Sequence, residues 1–162
     1  MVGLGANLGD RAATLERVID GMRGGAIPDT DVIAVSSTIE TRPLGPPQPD
    51  FLNAAIALDT DLDARALLDQ LLALETGLGR VRDDRWGPRI IDLDLLAWVP
   101  AGASSSAQVS EVGLEVPHPE AHRRDFVLVP LSELWPELRI HDRSVAEHLA
   151  ALDPGASTLP RP

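Results

Sequence analysis

The 162-residue sequence lacks cysteine, lysine and tyrosine, and its aromatic residues are limited to two Phe and three Trp. Without cysteine there can be neither a disulfide framework nor thiol chemistry. No apolar run approaches the roughly 18–20 residues that a membrane-spanning helix requires. The first ten residues, MVGLGANLGD, contain neither a basic region nor an apolar signal core. We therefore expect a cytoplasmic protein that does not associate with membranes.

The charged residues are unevenly distributed. The formal net charge is −11, which argues against nonspecific binding of nucleic acid, because such binding requires a basic surface. All fourteen basic residues are arginine, and several cluster in two places: Arg80, Arg82, Arg85 and Arg89 within ten residues, and the adjacent pair Arg123 and Arg124. Arginine forms forked, bidentate hydrogen bonds with phosphate oxygens. The clusters indicate either a site for a small anion or a solvated arginine-rich loop.

The hydrophobic pattern favours one α+β domain that spans residues 1–162, with a loose tail at 154–162. Hydrophobic residues make up 44% of the chain, enough for a core of one domain. Periodicity and turn residues predict strands at 2–4, 31–40, 51–60 and 89–98, and helices at 10–22 and 63–78. Further elements are expected at 114–116 (strand), 126–134 (helix), 138–141 (strand) and 144–152 (helix). The order βαββαβ predicts a ferredoxin-like core, a mostly antiparallel sheet with helices packed on it.

The stretch RWGPRIIDLDLL, residues 85–96, places two acids inside a predicted buried strand. Asp92 and Asp94 are two residues apart, so they share a face and lie roughly 6–7 Å apart along the strand. Mg²⁺ binds one or two carboxylates and fills its other positions with water and phosphate oxygens. The pair therefore indicates a magnesium site. Structural salt bridges with Arg85 or Arg89 are the alternative interpretation.

Two neighbouring segments offer ligands for an aromatic substrate. The polar loop 81–88 carries arginines and Trp86, which suggests a lid with phosphate ligands and an indole that stacks on a planar ring, although Trp86 could equally serve packing. On the third predicted strand, Phe51 and Asn53 share a face. An aromatic ring beside an amide suits a heterocycle with an amide-like edge. Simple packing of Phe51 and a turn cap by Asn53 remain open.

Four segments together closely resemble the 6-hydroxymethyl-7,8-dihydropterin pyrophosphokinase family. They are GANLGDR (5–11), SSTIETRPLGPPQPDFLNAA (36–55), LETGLGRVRDDRWGPRIIDLDLL (74–96) and VPHPEAHRRDFVLVPLSEL (116–134). The resemblance runs from about residue 3 to residue 140, and RWGPR-x-x-D-L-D is its most specific part. It implies transfer of pyrophosphate from ATP to the hydroxyl of 6-hydroxymethyl-7,8-dihydropterin, which gives AMP and the pterin diphosphate in folate biosynthesis.

The resemblance also assigns roles to residues. It implies that Asp92 and Asp94 hold two Mg²⁺ ions and act in catalysis with Arg80 and Arg89. The pterin is expected to contact Thr41, Pro43, Leu44, Phe51, Asn53, Trp86 and Phe126. ATP is expected to contact Glu75, Arg82, Arg85, Trp86, Arg89, His118 and Arg124.

Two other functions compete with this one. The first is a non-catalytic relative that binds pterin or nucleotide, although Asp92, Asp94, Arg80 and Arg89 are all present. The second is a ferredoxin-like RNA-binding protein, which the net charge and the lack of aromatic RNA-binding segments disfavour. We expect a monomer whose partners are ATP and the pterin, with no nucleic acid or membrane partner.

Overall fold

A five-stranded antiparallel sheet organises the computed structural model, which describes residues 1–80, 87–153 and 158. The strands of the chain are β1 (Val2–Ala6), β2 (Thr30–Val35), β3 (Ile39–Thr41), β4 (Phe51–Thr60), β5 (Asp92–Leu95), β6 (Val109–Glu111), β7 (Leu114–Val116), β8 (Arg139–Ile140) and β9 (Arg143–Ser144). The helices are α1 (Arg11–Arg23), α2 (Ala64–Gly77), α3 (Asp125–Leu134) and α4 (Val145–Ala150), with a 3₁₀ turn at Ala121–Arg123. β6 pairs with β7, and β8 pairs with β9, outside the main sheet.

The strand order of the main sheet is β2-β4-β1-β5, and β3 pairs with β4 beside β2. Helix α1 connects β1 to β2, and β4 lies between these two strands in the sheet. Helix α2 connects β4 to β5, and β1 lies between those two strands. Each βαβ unit is therefore split by a strand of the other. This arrangement confirms the prediction of an α+β fold with a ferredoxin-like, mostly antiparallel core.

Helices cover both faces of the sheet. Successive side chains of a strand point to opposite faces, so each face carries apolar side chains that pack against helices. Ile56 of β4 packs in one apolar cluster with residues of α1 and α2, whereas its neighbour Ala55 packs in a second cluster with α3 and α4. Leu71 of α2 and Leu128 of α3 are both fully buried in these clusters. The acids and the amide discussed below share the face of Ala55.

The predicted strand 31–40 is two strands in the structure. Val35 pairs with Ile56 of β4, and Ile39 pairs with Asn53. These pairs are separated by four residues on one strand and by three on β4. One residue is therefore out of register. The backbone N–H of Ser37 donates to Glu133 of α3 at 2.7 Å rather than to β4. A side chain of a distant helix interrupts the strand, and the local sequence carries no sign of it.

The boundaries of the outer strands also differ from the prediction. β1 continues to Ala6, and β5 covers Asp92–Leu95 rather than residues 89–98. Beyond β5 the N–H groups of Leu96 and Ala97 both donate to the carbonyl of Met1. Thr158, inside the segment predicted as a loose tail, is buried and hydrogen-bonded, while the rest of 154–162 lies outside the described residues. Among the described residues, no helix has the length and apolar character needed to span a membrane.

Asp63 caps α2 as the sequence predicts, since its side chain accepts a hydrogen bond of 2.8 Å from the N–H of Ala66. We expect Asp63→Ala to lower the free energy of unfolding by about 1 kcal/mol, because this first-turn N–H loses its partner. The melting temperature, followed by circular dichroism, should fall by about 2–4 °C. Asp61→Ala is the matched control, since that exposed side chain caps no helix. Equal melting temperatures for the two variants would contradict the capping role.

Candidate active site

Two glycines of the central strand form the floor of a trough. Gly5 of β1 lies opposite Asn53 of β4 on one side and opposite Asp92 of β5 on the other, and Gly3 likewise faces Asp94. A Cβ built on Gly5 would lie 3.1 Å from Oδ1 of Asn53. The absence of a side chain at Gly5 therefore leaves space between Asn53 and Asp92, whereas the side chain of Leu96 lies over Gly3, 3.1 Å from a Cβ built there. The sequence analysis did not identify these glycines as part of the site. Their alternation in V-G-L-G-A, which leaves one face of the strand without side chains, was the available signal.

Two cavities meet beside this floor, and the two glycines line only the smaller one. A cavity of about 380 Å³ is lined by residues of the β3 and β4 side and of α3, including Thr41, Leu44, Phe51, Asn53, Arg124 and Phe126. A second cavity of about 990 Å³ extends toward α2 and β6–β7, and its lining includes Leu72, Glu75, Ser110, Gly113 and Glu115. Both are lined by Arg80, Gly87, Arg89, Asp92, Asp94 and His118. The acid pair thus stands where two differently shaped compartments join.

The first acid, Asp92, is held by two guanidinium groups. Arg80 Nη1 lies 2.5 Å from one of its oxygens, and Arg89 Nη1 bonds the other. Burial alone would lower the pKa of Arg80, but the charges of Asp92 and Glu75 outweigh burial and raise that pKa above its ordinary value. Arg80 therefore stays charged. Arg89 thus forms the salt bridge of the alternative interpretation with Asp92, but within the described residues it forms none with Asp94, and Arg85 lies outside those residues.

The second acid, Asp94, has no such partner: within residues 1–80, 87–153 and 158, no hydrogen bond or ion pair reaches its carboxylate. Burial, and then the neighbouring charge of Asp92, raise its pKa from 3.8 to about 7, against the opposing charges of Arg124 and Arg89. A half-buried carboxylate that resists ionisation is suited to binding a cation. The described part of the chain contains no group of three or more His, Asp or Glu arranged for a metal. A cation held here would need phosphate or water oxygens as well.

Glu75 connects α2 to the acid strand. Its side chain is only 1% exposed, and Oε1 accepts hydrogen bonds from the backbone N–H of Leu93, at 2.7 Å, and from Arg80. The resemblance assigns Glu75 to the ATP site, and it does line the larger cavity. Its carboxylate is occupied by the protein itself, so it fixes β5 and Arg80 relative to each other.

The smaller cavity has an amide at one end and two aromatic rings along its walls. Asn53 is buried, and its Nδ2 donates to the hydroxyl of Thr41 at 2.7 Å, while Oδ1 lies over Gly5. Phe51 and Phe126 both line this cavity. These groups can offer hydrogen bonds to the edge of a flat ring and contact to its faces.

Of four other predicted ligands, three line one or both cavities and Pro43 lines neither. The guanidinium of Arg124 lies 5.8 Å from the ring centre of Phe126. Leu44 is 43% exposed at the mouth of the smaller cavity, while Pro43 beside it is half-buried and lines neither cavity. His118 lines both, and burial followed by the charge of Arg124 lowers its pKa, so its ring is neutral at pH 7.

Asn7 is a residue that sequence reasoning did not identify. It is 2% exposed, and its Oδ1 accepts from the N–H of Arg89 at 2.6 Å while its Nδ2 donates to Gln48 at 2.9 Å and to the carbonyl of Pro49. Its backbone N–H also donates to the carbonyl of Arg89. The side-chain amide of Asn7 thus fixes the backbone of Arg89. It also fixes the loop at Gln48 and Pro49, beside the smaller cavity. An Asn directly after a strand was the available signal.

Some of the expected ligands cannot be placed. Arg82, Arg85 and Trp86 lie outside the described residues, as does most of the loop 81–88 that the sequence suggests as a lid. Of that loop, Gly87 lines both cavities and Pro88 lines the larger one.

Comparison with known proteins identifies the family of the chain. The family model described as 7,8-dihydro-6-hydroxymethylpterin-pyrophosphokinase matches residues 1–136. A protein of Methylorubrum extorquens named 2-amino-4-hydroxy-6-hydroxymethyldihydropteridine pyrophosphokinase is 46% identical over 154 residues, which cover 94% of this chain and 92% of that protein. Proteins of the same name are similar in Pseudomonas aeruginosa (42% identity, 93% of this chain and 89% of that one) and Bacillus subtilis (38%, 82% and 75%). The chain therefore belongs to the 7,8-dihydro-6-hydroxymethylpterin-pyrophosphokinase family.

Proposed function

We propose that this protein transfers pyrophosphate from ATP to the hydroxyl of 6-hydroxymethyl-7,8-dihydropterin in folate biosynthesis. The hydroxyl oxygen releases its proton and bonds to the β-phosphorus, the bond from that phosphorus to the oxygen it shares with the α-phosphorus breaks, and AMP leaves with that oxygen. The observation that carries the proposal is the meeting of two cavities at Asp92 and Asp94 in a member of this family. Such a transfer depends mainly on positioning and charge stabilisation, which this geometry supplies.

We assign the pterin to the smaller cavity. A bicyclic ring fits between Phe51 and Phe126, and the amide of Asn53 reads its polar edge with help from Thr41. ATP then occupies the larger cavity, with its phosphates directed toward Arg80 and Arg89 at the junction. The hydroxymethyl oxygen would then come from the smaller cavity and the β-phosphorus from the larger one, and the two would face each other beside the acid pair.

We further propose that Asp92 and Asp94 hold two Mg²⁺ ions with the triphosphate. The fit rests on two carboxylates on one face, of which Asp94 lacks a protein partner among the described residues. Bound there, Mg²⁺ would neutralise phosphate charge and polarise the attacking hydroxyl. Asp92 holds Arg80 and Arg89 at the junction before the nucleotide arrives, so both guanidinium groups start within reach of the phosphates.

The remaining proposals concern the state of the protein in the cell. We propose a cytoplasmic monomer without a nucleic acid or membrane partner. The net charge of −11 supports the absence of a nucleic acid partner. Light scattering at micromolar concentration gives its mass directly, and 17.3 kDa is the expected value.

A product assay tests the activity. Incubation with ATP, Mg²⁺ and the pterin alcohol should yield AMP and the pterin diphosphate, separated by anion-exchange chromatography. Removal of divalent cations with EDTA should abolish turnover, because uncompensated phosphate charge would then remain at the acid pair. ADP as the product would show a simple kinase, and binding of both substrates without any product would favour the non-catalytic relative.

The two acids should respond differently to neutralisation in the absence of metal. Because the pKa of folded Asp94 is raised to about 7 from 3.8, the folded state binds a proton more tightly than the unfolded chain, and its stability falls as pH rises from about 4 to 7. Asp94→Asn removes this pH-dependent loss of stability, because the amide does not ionise. We expect the variant to be more stable than the unchanged protein by roughly 1–3 kcal/mol above pH 7 and by little near pH 4. Urea unfolding at the two pH values is the measurement.

Asp92→Asn is the matched comparison. It leaves Arg80 and Arg89 facing an uncharged amide, so the free energy of unfolding should fall by about 1–3 kcal/mol at pH 7. Both variants should lose nearly all activity. If neutralising either acid changed stability by the same amount and sign, the distinction drawn between them would be wrong.

The glycine floor gives a test of the pterin pocket. Gly5→Ala places a methyl group 3.1 Å from Asn53 Oδ1 and 3.8 Å from Phe51, inside the space assigned to the ring. We expect the KM for the pterin to rise at least tenfold, equivalent to about 1.4 kcal/mol, with the KM for ATP within twofold. Gly77→Ala is the control, because a Cβ there meets nothing within 4 Å. An unchanged pterin KM in Gly5→Ala would exclude this pocket as the pterin site.

A further inference from the structure

A residue near the end of the chain joins the two walls of the smaller cavity. The backbone N–H and the hydroxyl of Thr158 both donate to the carboxylate of Asp125, each at 2.6 Å. The carbonyl of Thr158 accepts from the N–H of Arg42 at 2.8 Å. Thr158 is 6% exposed and Asp125 is 7% exposed, so these hydrogen bonds are largely shielded from water.

Both partners of Thr158 are adjacent to residues that line the smaller cavity. Asp125 begins α3 between Arg124 and Phe126, and its carboxylate also accepts from the N–H of Phe126 at 2.8 Å. Arg42 directly follows Thr41 at the end of β3, and it lines the cavity itself. Thr158 therefore connects the α3 wall to the β3 wall.

The chemistry of the buried carboxylate makes this connection specific. A carboxylate removed from water requires hydrogen-bond donors, and donors left missing cost more than an average hydrogen bond contributes. Two of the donors to Asp125 come from Thr158, and its position in the first turn of α3 also favours a negative charge. The carboxylate therefore holds Thr158 in place, and the Thr158 carbonyl in turn holds Arg42.

The loop that follows Arg42 is tied down elsewhere as well. Its far end is held by Asn7, which donates to Gln48 and Pro49, and by Arg11, which donates to the carbonyl of Asp50 at 2.6 Å. The bond from Arg42 to Thr158 secures the near end. Loss of Thr158 should therefore disturb the Thr41 side of the cavity while the opposite end of the loop keeps its place.

We propose that Thr158 is a positioning residue for the pterin, which sets the spacing between the Phe126 wall and the Thr41 wall of its pocket through Asp125 and Arg42. The inference rests on the proposed function for the identity of the ligand. It assigns to Thr158 a part in recognising one substrate and none in binding ATP.

Steady-state kinetics on full-length variants test the proposal. Thr158→Val removes the hydroxyl donor and should raise the KM for the pterin about threefold or more. Thr158→Pro removes the N–H donor as well and should raise it about tenfold or more. Thr158→Ser retains both donors and should keep the original value. The KM for ATP should stay within twofold in every variant, since Thr158, Asp125 and Arg42 do not line the larger cavity.

Ser37→Ala is the matched control. Ser37 donates through its N–H and hydroxyl to Glu133, at the other end of the same helix, in the way Thr158 donates to Asp125. Its replacement should leave the pterin KM unchanged. An unchanged pterin KM in Thr158→Pro, or an equal rise in both KM values, would overturn the positioning role.

Amide hydrogen exchange separates this proposal from the proposed function. In Thr158→Pro the N–H groups of Arg42 and Phe126 should exchange faster than in the unchanged protein, and in Ser37→Ala they should not. If the unchanged protein formed no AMP, the proposed function would fail while the exchange rates still decided whether Thr158 holds the two walls. Unaltered exchange at Arg42 and Phe126 in Thr158→Pro would reject the connection itself.

Discussion

The interaction of Asp92 with two arginines is the constraint on which the site depends. Asp92 lies on β5 of the main sheet, Arg80 follows the end of α2, and Arg89 lies just before β5. Glu75 holds Arg80 from behind and accepts the N–H of Leu93, so helix, strand and guanidinium are fixed together. Four charged groups, two acids and two arginines, are thereby paired at the junction of the two cavities, where phosphate charge is expected to arrive.

Asp94, in contrast, accepts no hydrogen bond and forms no ion pair among residues 1–80, 87–153 and 158. Its neighbour takes both arginines, and its own carboxylate is left in a half-buried position where the pKa rises to about 7. The two acids on this face of β5 therefore differ: Asp92 is paired with two arginines, and Asp94 has no ion-pair partner in the described part of the chain. Such a pair is costly to keep in a fold, and a cation with phosphate ligands would relieve the cost.

Much of this was predictable from sequence, because local patterns carry the information. The alternation of D-L-D-L places both acids on one face, Asp63 caps α2, and the resemblance identifies the family. What escaped prediction depends on distant partners. Glu133 interrupts a predicted strand at Ser37, Asn7 links Arg89 to Gln48, and Thr158 binds Asp125 from a segment that looks loose in sequence. Hydrogen bonds between residues far apart in the chain leave no periodic signal.

The central claim is that the two cavities receive different substrates and meet at the acid pair. A crystal structure with a nonhydrolysable ATP analogue, Mg²⁺ and the pterin alcohol tests it most directly. The account predicts the pterin between Phe51 and Phe126 with its edge on Asn53, the nucleotide on the Glu75 and His118 side, and the hydroxymethyl oxygen facing the β-phosphorus beside Asp92 and Asp94. Both ligands in one cavity, or metal bound away from these two carboxylates, would contradict it.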